Sequence, residues 1–413
     1  VLSTLRDFRS FDRPIQVLQI NQVGINLGFY MLMPYLAQHL ASGAGLAAWA
    51  IGLVLGLRNL SQQGMFLIGG TLSDRLGYKP MIMAGCALRT VGFALFGLTT
   101  SLPMLILAAV LTGLAGALFN PAARACLARE AGERKVAAFA VFSAFYQSGI
   151  LLGPVIGVVL LGTGFTVVCL SAASIFAALT VLQWRYLPGG RGAAAGQSVS
   201  RDWRQAFGDR AFVSFAAAMI ASYGLSYQMY LGLPLEVQRV GGGDWGVTAL
   251  YAISALLGIA GQVRLTAWCA ARWTGGQAIT RGLGLMGLAF LPMALAAHLP
   301  LPAPWAMAPL VACAVLLTLG TLMAFPFEMA LIADMAGDRL VGTYYGLYNL
   351  MSGLGILAGN LVAGALVDVS RHSGWPSLPW ALLAAGGLAS AAAVRRLERR
   401  DRLAGAGRVT AAT

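Results

Sequence analysis

Pro121-Ala-Ala-Arg-Ala-Cys-Leu-Ala-Arg-Glu-Ala-Gly-Glu-Arg-Lys-Val136 and Pro326-Phe-Glu-Met-Ala-Leu-Ile-Ala-Asp-Met-Ala-Gly-Asp-Arg-Leu-Val341 align without a gap. Pro121/Pro326, Ala131/Ala336, Gly132/Gly337, Arg134/Arg339 and Val136/Val341 coincide, and Glu133/Asp338 is conservative. The offset is close to half the chain, and Pro34–Gln38 is echoed at Pro234–Gln238. A repeat of this length predicts two structurally equivalent halves. In a membrane protein, parallel repeats of that kind are related by an axis along the membrane normal, with a pathway expected between them.

The sequence on either side of each copy is apolar. Hydrophobic residues make up 58% of the 413 residues and charged residues only 10%, and the mean hydropathy is +0.74. Soluble domains carry about 25% charged residues, so this composition implies a surface that faces lipid and excludes a disordered chain. Crossing a bilayer takes about 20 mainly apolar residues. Such stretches run over 15–39, 47–70, 81–99, 103–124, 136–160 and 165–187, then over 212–236, 247–268, 277–297, 305–330, 341–366 and 377–394. The expected fold is therefore an all-α membrane protein of about twelve transmembrane helices in two six-helix halves. Residues 1–187 form the first half, 188–211 a polar linker, and 212–413 the second half with a basic tail. Trp203 and Phe207 in the linker fit an amphipathic helix at the membrane surface.

The net charge of +13 is placed on alternate connections. Arg75, Lys79, Arg124, Arg129, Arg134, Lys135, Arg185, Arg204, Arg272, Arg339 and the tail arginines fall on one side, against Arg239 and Arg371 on the other. That asymmetry predicts cytoplasmic termini and anionic lipid neighbours, and no nucleic acid. Cys86, Cys126, Cys169, Cys269 and Cys313 show no paired spacing, which argues against disulfides and zinc. His39, His298 and His372 fall near outer loops without metal-ligand spacing. No metal and no cofactor are expected.

Between the second and third stretches stands Gly70-Thr-Leu72-Ser-Asp74-Arg75-Leu-Gly77-Tyr-Lys79-Pro80. It resembles the loop signature of the major facilitator superfamily, G-x-L-x-D-R-x-G-R/K-R/K, with Tyr78 departing where a base is usual. The resemblance implies a conformational latch made by Gly70, Asp74, Arg75, Gly77 and Lys79. Asp74 would cap a helix N-terminus in the opposite half, and Arg75 and Lys79 would pair with acids on the inner face. In the fifth stretch, Gly149, Gly153, Pro154 and Gly157 resemble the antiporter signature of drug-exporting members, although Ala140 and Val158 replace glycines often found there. Gly56-Leu-Arg58 through Gln62-Gln63-Gly64, Lys79-Pro80-Met81 and Leu88-Arg89 through Gly92-Phe93 resemble the MdtH-type exporters of bacterial inner membranes. That likeness implies extrusion of small amphipathic compounds driven by protons. The fourth stretch lacks the intramembrane arginine that many drug–proton antiporters carry.

Polar residues inside a bilayer usually face a bundle interior or a water-filled cavity. Gln19, Gln22, Asn26 and Tyr30 recur at helical spacing in the first stretch, and Tyr223, Tyr227 and Tyr230 in the seventh. Arg58 and Gln62, Tyr251, and Tyr345 with Asn349 join them as candidate lining of a substrate cavity, with helix-to-helix bonding as the alternative for each. Glu328, toward the inner end of the tenth stretch, is the one acid expected within the hydrocarbon; relatives by the resemblance often carry an acid in the first stretch, where Asn21 stands here. Glu328 is either the proton carrier or the structural partner of a neighbouring arginine; Arg58, Arg89 and Arg281 lie well inside their stretches, and Arg89 and Arg281, at similar places in the two repeats, are expected to face protein partners.

The expected activity is secondary active transport by alternating access: proton-coupled export of an amphipathic small molecule by a monomer. The alternatives are a dedicated exporter of an endogenous metabolite, such as a siderophore or lipid, and a sensor that no longer transports. A membrane-embedded enzyme would need clustered His, Cys, Asp or Glu at bilayer depth, and the sequence has no such cluster. The alanine- and arginine-rich usage, with two lysines, points to a GC-rich bacterial source.

Overall fold

A computed structural model describes residues 8–131, 135–189, 199–302 and 305–400. Every long element is a helix. They are α1 (Arg13–Ser42), α2 (Ala48–Gly64), α3 (Phe66–Leu76), α4 (Tyr78–Leu98), α5 (Leu102–Ala131), α6 (Lys135–Leu161) and α7 (Phe165–Tyr186). After α8 (Val199–Gly208) come α9 (Arg210–Ser226), α10 (Gly232–Arg239), α11 (Gly243–Ala270), α12 (Gly275–Leu288), α13 (Leu291–Ala296), α14 (Ala308–Ser373) and α15 (Leu378–Arg399). The burial pattern is that of a protein solvated by lipid. Val159 and Leu295 are 63% and 74% exposed, while Gln19, Asn21, Gln228, Glu328 and Asn360 are wholly buried.

Eight helical stretches among the described residues are long and apolar enough to cross a membrane, and Phe145–Leu161 is a shorter apolar one. The other three expected spans are special cases. α1 carries the polar stripe that lowers its hydropathy. α2 stops at Gly64, and a new helix begins at Phe66. The seventh span is divided: α9 passes into a 3₁₀ turn at Tyr227–Met229 and resumes only at Gly232. Pro234 has no N–H for the carbonyl four residues back, so the break falls where the helix would lack one of its own hydrogen bonds. The ninth span is likewise divided into α12 and α13, with Pro292 in the first turn of the second piece.

The tenth and eleventh spans are joined without a break in helical assignment, through the 66 residues of α14. A straight helix of that length would measure about 100 Å. It is not straight: the Tyr345 hydroxyl donates to the Met329 carbonyl at 2.6 Å across a separation of 16 residues, so the chain reverses between the two spans.

The chain forms two compact units, Val1–Ala44 with Leu57–Gln197, and Gly45–Gly56 with Ser198–Thr413. The division after Gln197 falls in the expected linker. The start of α2 does not follow the expected boundary and packs with the second unit. Within each unit the helices pair alike. In the first, α1 packs on α6 and α7, and α4 packs on α5 and α7. In the second, α9 packs on α14 and α15, and α12 on the same two helices. The first helix of each half thus meets the fifth and sixth, and the third meets the fourth and sixth: the structural form of the sequence repeat.

Close approach in lipid depends on small residues. A Cβ on Gly149 would lie 2.7 Å from that of Asn26, and one on Gly153 would lie 2.6 Å from that of Tyr30, while Gly157 faces the Met31 carbonyl. In the second unit a Cβ on Gly359 would lie 2.7 Å from the Gly224 Cα.

Candidate transport site

The polar stripe of α1 is set by its contact with α6. Gln22 and Asn26 are buried, and the Asn26 amide donates to the Gln22 carbonyl of its own helix at 2.7 Å. Asn26 and Tyr30 lie against Gly149 and Gly153, so these two expected cavity residues pack at the contact between α1 and α6. One turn on, the Tyr35 hydroxyl donates to the Pro154 carbonyl at 2.6 Å. The glycines of the antiporter-like motif thus form the surface on which α1 rests.

Arg58 and Gln62, one turn apart on α2, are brought together. The Arg58 guanidinium donates to Asn59 Oδ1 at 2.8 Å and to Gln62 Oε1 at 2.7 Å, and it lies 4.5 Å from the centre of the Phe29 ring. Arg89, also buried, sits between the rings of Phe119 and Phe176, 5.8 Å from each. Both buried charges described in the first unit are therefore cationic.

In the second unit Glu328 is fully buried. Its Oε1 accepts a hydrogen bond of 2.8 Å from the Tyr223 hydroxyl. Tyr223 is held in place by stacking on Phe325 at 5.2 Å and by edge contact with Tyr348 at 6.0 Å. Glu328 Oε2 and the Tyr348 hydroxyl are buried and make no hydrogen bond of normal geometry. The partner of Glu328 is a phenol rather than the arginine allowed for in the sequence; Arg281 is exposed and lies over Trp273. The remaining expected lining residues gather near the break in the seventh span. Tyr227 and Tyr251 each contact the Tyr230 ring, at 5.3 and 5.8 Å. The Tyr251 hydroxyl donates to the Met229 carbonyl at 2.9 Å, supplying a partner where the helix is interrupted, as irregular backbone at membrane depth requires. Tyr345 is committed to Met329 in the same way, and Asn349 is half-buried.

Of the expected latch, Gly77 adopts φ 94° at the turn between α3 and α4, a conformation suited to glycine. Among the described residues Lys79 meets no acid. Its Nζ donates to the carbonyls of Trp184 and Leu187, both at 2.8 Å, where a cation complements the C-terminus of α7. The surroundings of Gly70 and the side chains of Asp74, Arg75 and Trp203 lie outside the described residues. His39 stacks on Phe165, and His298 Nε2 lies 3.1 Å from Ser377 Oγ; the His372 side chain is outside the described residues. Among the described residues no three His, Cys, Asp or Glu side chains gather as a metal site would require.

The family model described as Major Facilitator Superfamily matches residues 20–311. The chain belongs to the major facilitator superfamily. It is a multi-pass membrane transporter and not an enzyme. It is 47% identical over 396 residues to an MFS-type transporter of Mycobacterium tuberculosis, covering 95% of this chain and 94% of that one. It is 32% identical over 372 residues to the multidrug resistance protein MdtH of Yersinia enterocolitica, covering 90% and 91%. Among solved structures, a peptide transporter mutant bound to alafosfalin superposes with a TM-score of 0.79 at 14% identity, over 96% of this chain and 98% of that one. That likeness is one of fold.

Two capping contacts of this superfamily member escape sequence reasoning. Asp368, near the end of α14, accepts from the backbone N–H groups of Ala48 and Trp49 at 3.0 and 2.9 Å. Asp368 thus places a carboxylate on the N-terminus of α2. Asp209 caps α9 through Ala211 and Phe212 and accepts from the Tyr344 hydroxyl at 3.0 Å. An aspartate directly before an apolar run is the signal that identifies the second cap. The first has no local signal, because its partners are 320 residues apart.

Proposed function

We propose that this transporter exports small amphipathic molecules by proton-coupled alternating access, as a monomer in a bacterial inner membrane with both termini cytoplasmic. The observation that carries the coupling is Glu328, the only acid among the buried polar and charged side chains described. A carboxyl bonded to a neutral phenol can gain and lose a proton without breaking an ion pair. Its membership of the tyrosine-lined region joins protonation to the side chains that would meet substrate: Tyr223, Tyr227, Tyr251, Tyr345 and Asn349.

Export is supported by likeness to relatives named as multidrug resistance proteins and by the packing of Gly149, Gly153, Pro154 and Gly157. The orientation is supported by the distribution of arginine between alternate loops. Gly70, Asp74, Arg75, Gly77 and Lys79 act as the cytoplasmic latch, with Lys79 anchoring its base to α7. Arg58, with Gln22, Asn26, Tyr30 and Gln62 nearby in sequence or space, makes the first unit's contribution to binding electropositive. Neutral and anionic amphiphiles are therefore favoured over permanent cations, since a cation leaving water needs a compensating partner.

The test is a substrate screen in proteoliposomes with an imposed proton gradient. Movement of amphiphiles against their own gradient, abolished when the proton gradient is collapsed, is the expected result. Saturable binding without gradient-driven movement of any compound would instead make the chain a sensor.

A further inference from the structure

We propose that the turn between α11 and α12 binds the headgroup of an anionic phospholipid, with an acyl chain lying along α12 and α13. Trp268 and Trp273 flank this turn and meet edge-on at 4.8 Å, with an interplanar angle of 84°. Each carries a guanidinium on its face: Arg272 Cζ is 4.8 Å from the Trp268 ring centre, and Arg281 Cζ is 4.2 Å from that of Trp273. The four side chains make one continuous stack, cation–ring–ring–cation. Arg264, one turn before Trp268 on α11, is exposed on the same side.

The position of Arg281 identifies the partner. It lies within the apolar stretch Gly275–Ala296, yet it is exposed. Leu288 and Leu295 follow it at seven-residue intervals and are 42% and 74% exposed, so the arginine continues the face that those leucines turn toward lipid. A Cβ at Gly284, one turn along from Arg281, would meet nothing within 4 Å, so the helix surface beside the arginine is open rather than covered by protein. A cation on a lipid-facing surface is costly unless a counter-charge is present. The two ion pairs found among the described residues involve Arg129 and Arg239, not these arginines. Glu398, the acid that reaches the turn, accepts from the Thr274 hydroxyl at 2.7 Å, and a single carboxylate does not neutralise three arginines.

Arg272 Nη1 makes a long bond of 3.5 Å to the Trp268 carbonyl; the N–H groups of a guanidinium stacked on an indole that point away from the protein match the oxygens of a phosphodiester in a bidentate fork. Indoles favour the depth of the headgroups. Charge, depth and the adjoining leucine face together call for a molecule with a phosphate at one end and an alkyl chain at the other. This site is independent of the substrate and of the coupling ion.

Native mass spectrometry of the full chain in detergent, titrated with phosphatidylglycerol or with phosphatidylcholine of the same acyl chains, tests the assignment. The wild type should retain the first phosphatidylglycerol preferentially, and Arg272→Gln/Arg281→Gln should weaken that retention by about tenfold or more. Arg395→Gln/Arg396→Gln, which removes as much charge from α15, should leave it nearly unchanged. Glycerol phosphate at matched concentration should not compete, because it lacks the chain that lies along Leu288 and Leu295. Equal retention of the two lipids by the wild type would overturn the site without recourse to any variant. Equal loss in the two double variants, or competition by glycerol phosphate, would reduce it to general charge attraction and refute it.

Discussion

Replacing Glu328 by Gln separates proton coupling from architecture, because the structure indicates what the change preserves. The amide oxygen of Gln can accept the Tyr223 hydroxyl that now bonds Glu328 Oε1 at 2.8 Å, so the stack of Tyr223, Phe325 and Tyr348 stays in place. Only the capacity to titrate is lost. Glu328, the one buried acid among the described residues, carries one proton per cycle. A pH difference of one unit is worth about 1.4 kcal/mol per proton, or a factor of about ten. A neutral substrate should therefore reach a steady-state concentration ratio approaching about tenfold per imposed pH unit in the wild type, less any leak. In Glu328→Gln the ratio should fall to one, while counterflow exchange of labelled for unlabelled substrate continues. The assay is uptake into inverted proteoliposomes over a series of pH differences, with exchange measured on the same preparation. Concentrative uptake by the variant that still follows the pH difference would refute the role of Glu328. A wild-type ratio well above tenfold per unit would require a second proton carrier.

Three further outcomes follow from the packing. Tyr35→Phe should lower stability by about 1 kcal/mol, the net value of a buried neutral hydrogen bond, read as a fall in melting temperature with helix content unchanged; an unaltered melting temperature would mean that the Pro154 carbonyl does not need the phenol. Asp368→Ala removes the carboxylate from the start of α2 and should cost about 0.5–2 kcal/mol, while Asp368→Asn should recover part of it; hydrogen exchange at Ala48 and Trp49 that is the same in all three proteins would refute the cap. Arg58→Gln should weaken an anionic ligand by about 1–3 kcal/mol more than a neutral one of the same shape, measured over a charge-varied ligand series. Preference for a tetraalkylammonium ion, unchanged by that substitution, would sink the charge argument.

The elements most legible in the sequence are those governed by short-range rules. Apolar runs about 20 residues long give the spans, and the Pro121 and Pro326 segments give the two halves before any contact is known. The interruption at Tyr227 was hidden, because Ser222, Tyr223, Ser226 and Tyr227 keep helical spacing right up to it, while Pro234 acts on backbone several residues earlier. Site residues were recognised as polar and intramembrane, but not their partners. For Glu328 the sequence leaves open a titrating role or an arginine partner, and the structure supplies Tyr223; for Lys79 it points to an acid, and the structure supplies the carbonyls of Trp184 and Leu187. Asn26 reads as cavity lining by its polarity, whereas the glycine of α6 that it packs against lies 123 positions away, so its place between helices depends on a tertiary contact. Electrostatic sense survives translation from sequence to structure better than partnership does.

The clamp between α1 and α6 has a mechanical consequence. Backbones that approach at Gly149, Gly153 and Gly157 and are pinned by Tyr35 cannot ratchet past each other by a turn of about 5.4 Å without driving side chains into main chain. The two helices must therefore swing as a single lever. Within that lever the points of least bending stiffness are Pro34 in α1 and Pro154 in α6, where each helix lacks one of its own hydrogen bonds. The Tyr35 phenol, one residue beyond the first proline, bonds the carbonyl of the second. A flexure begun at either proline is thus handed to the other at the same height.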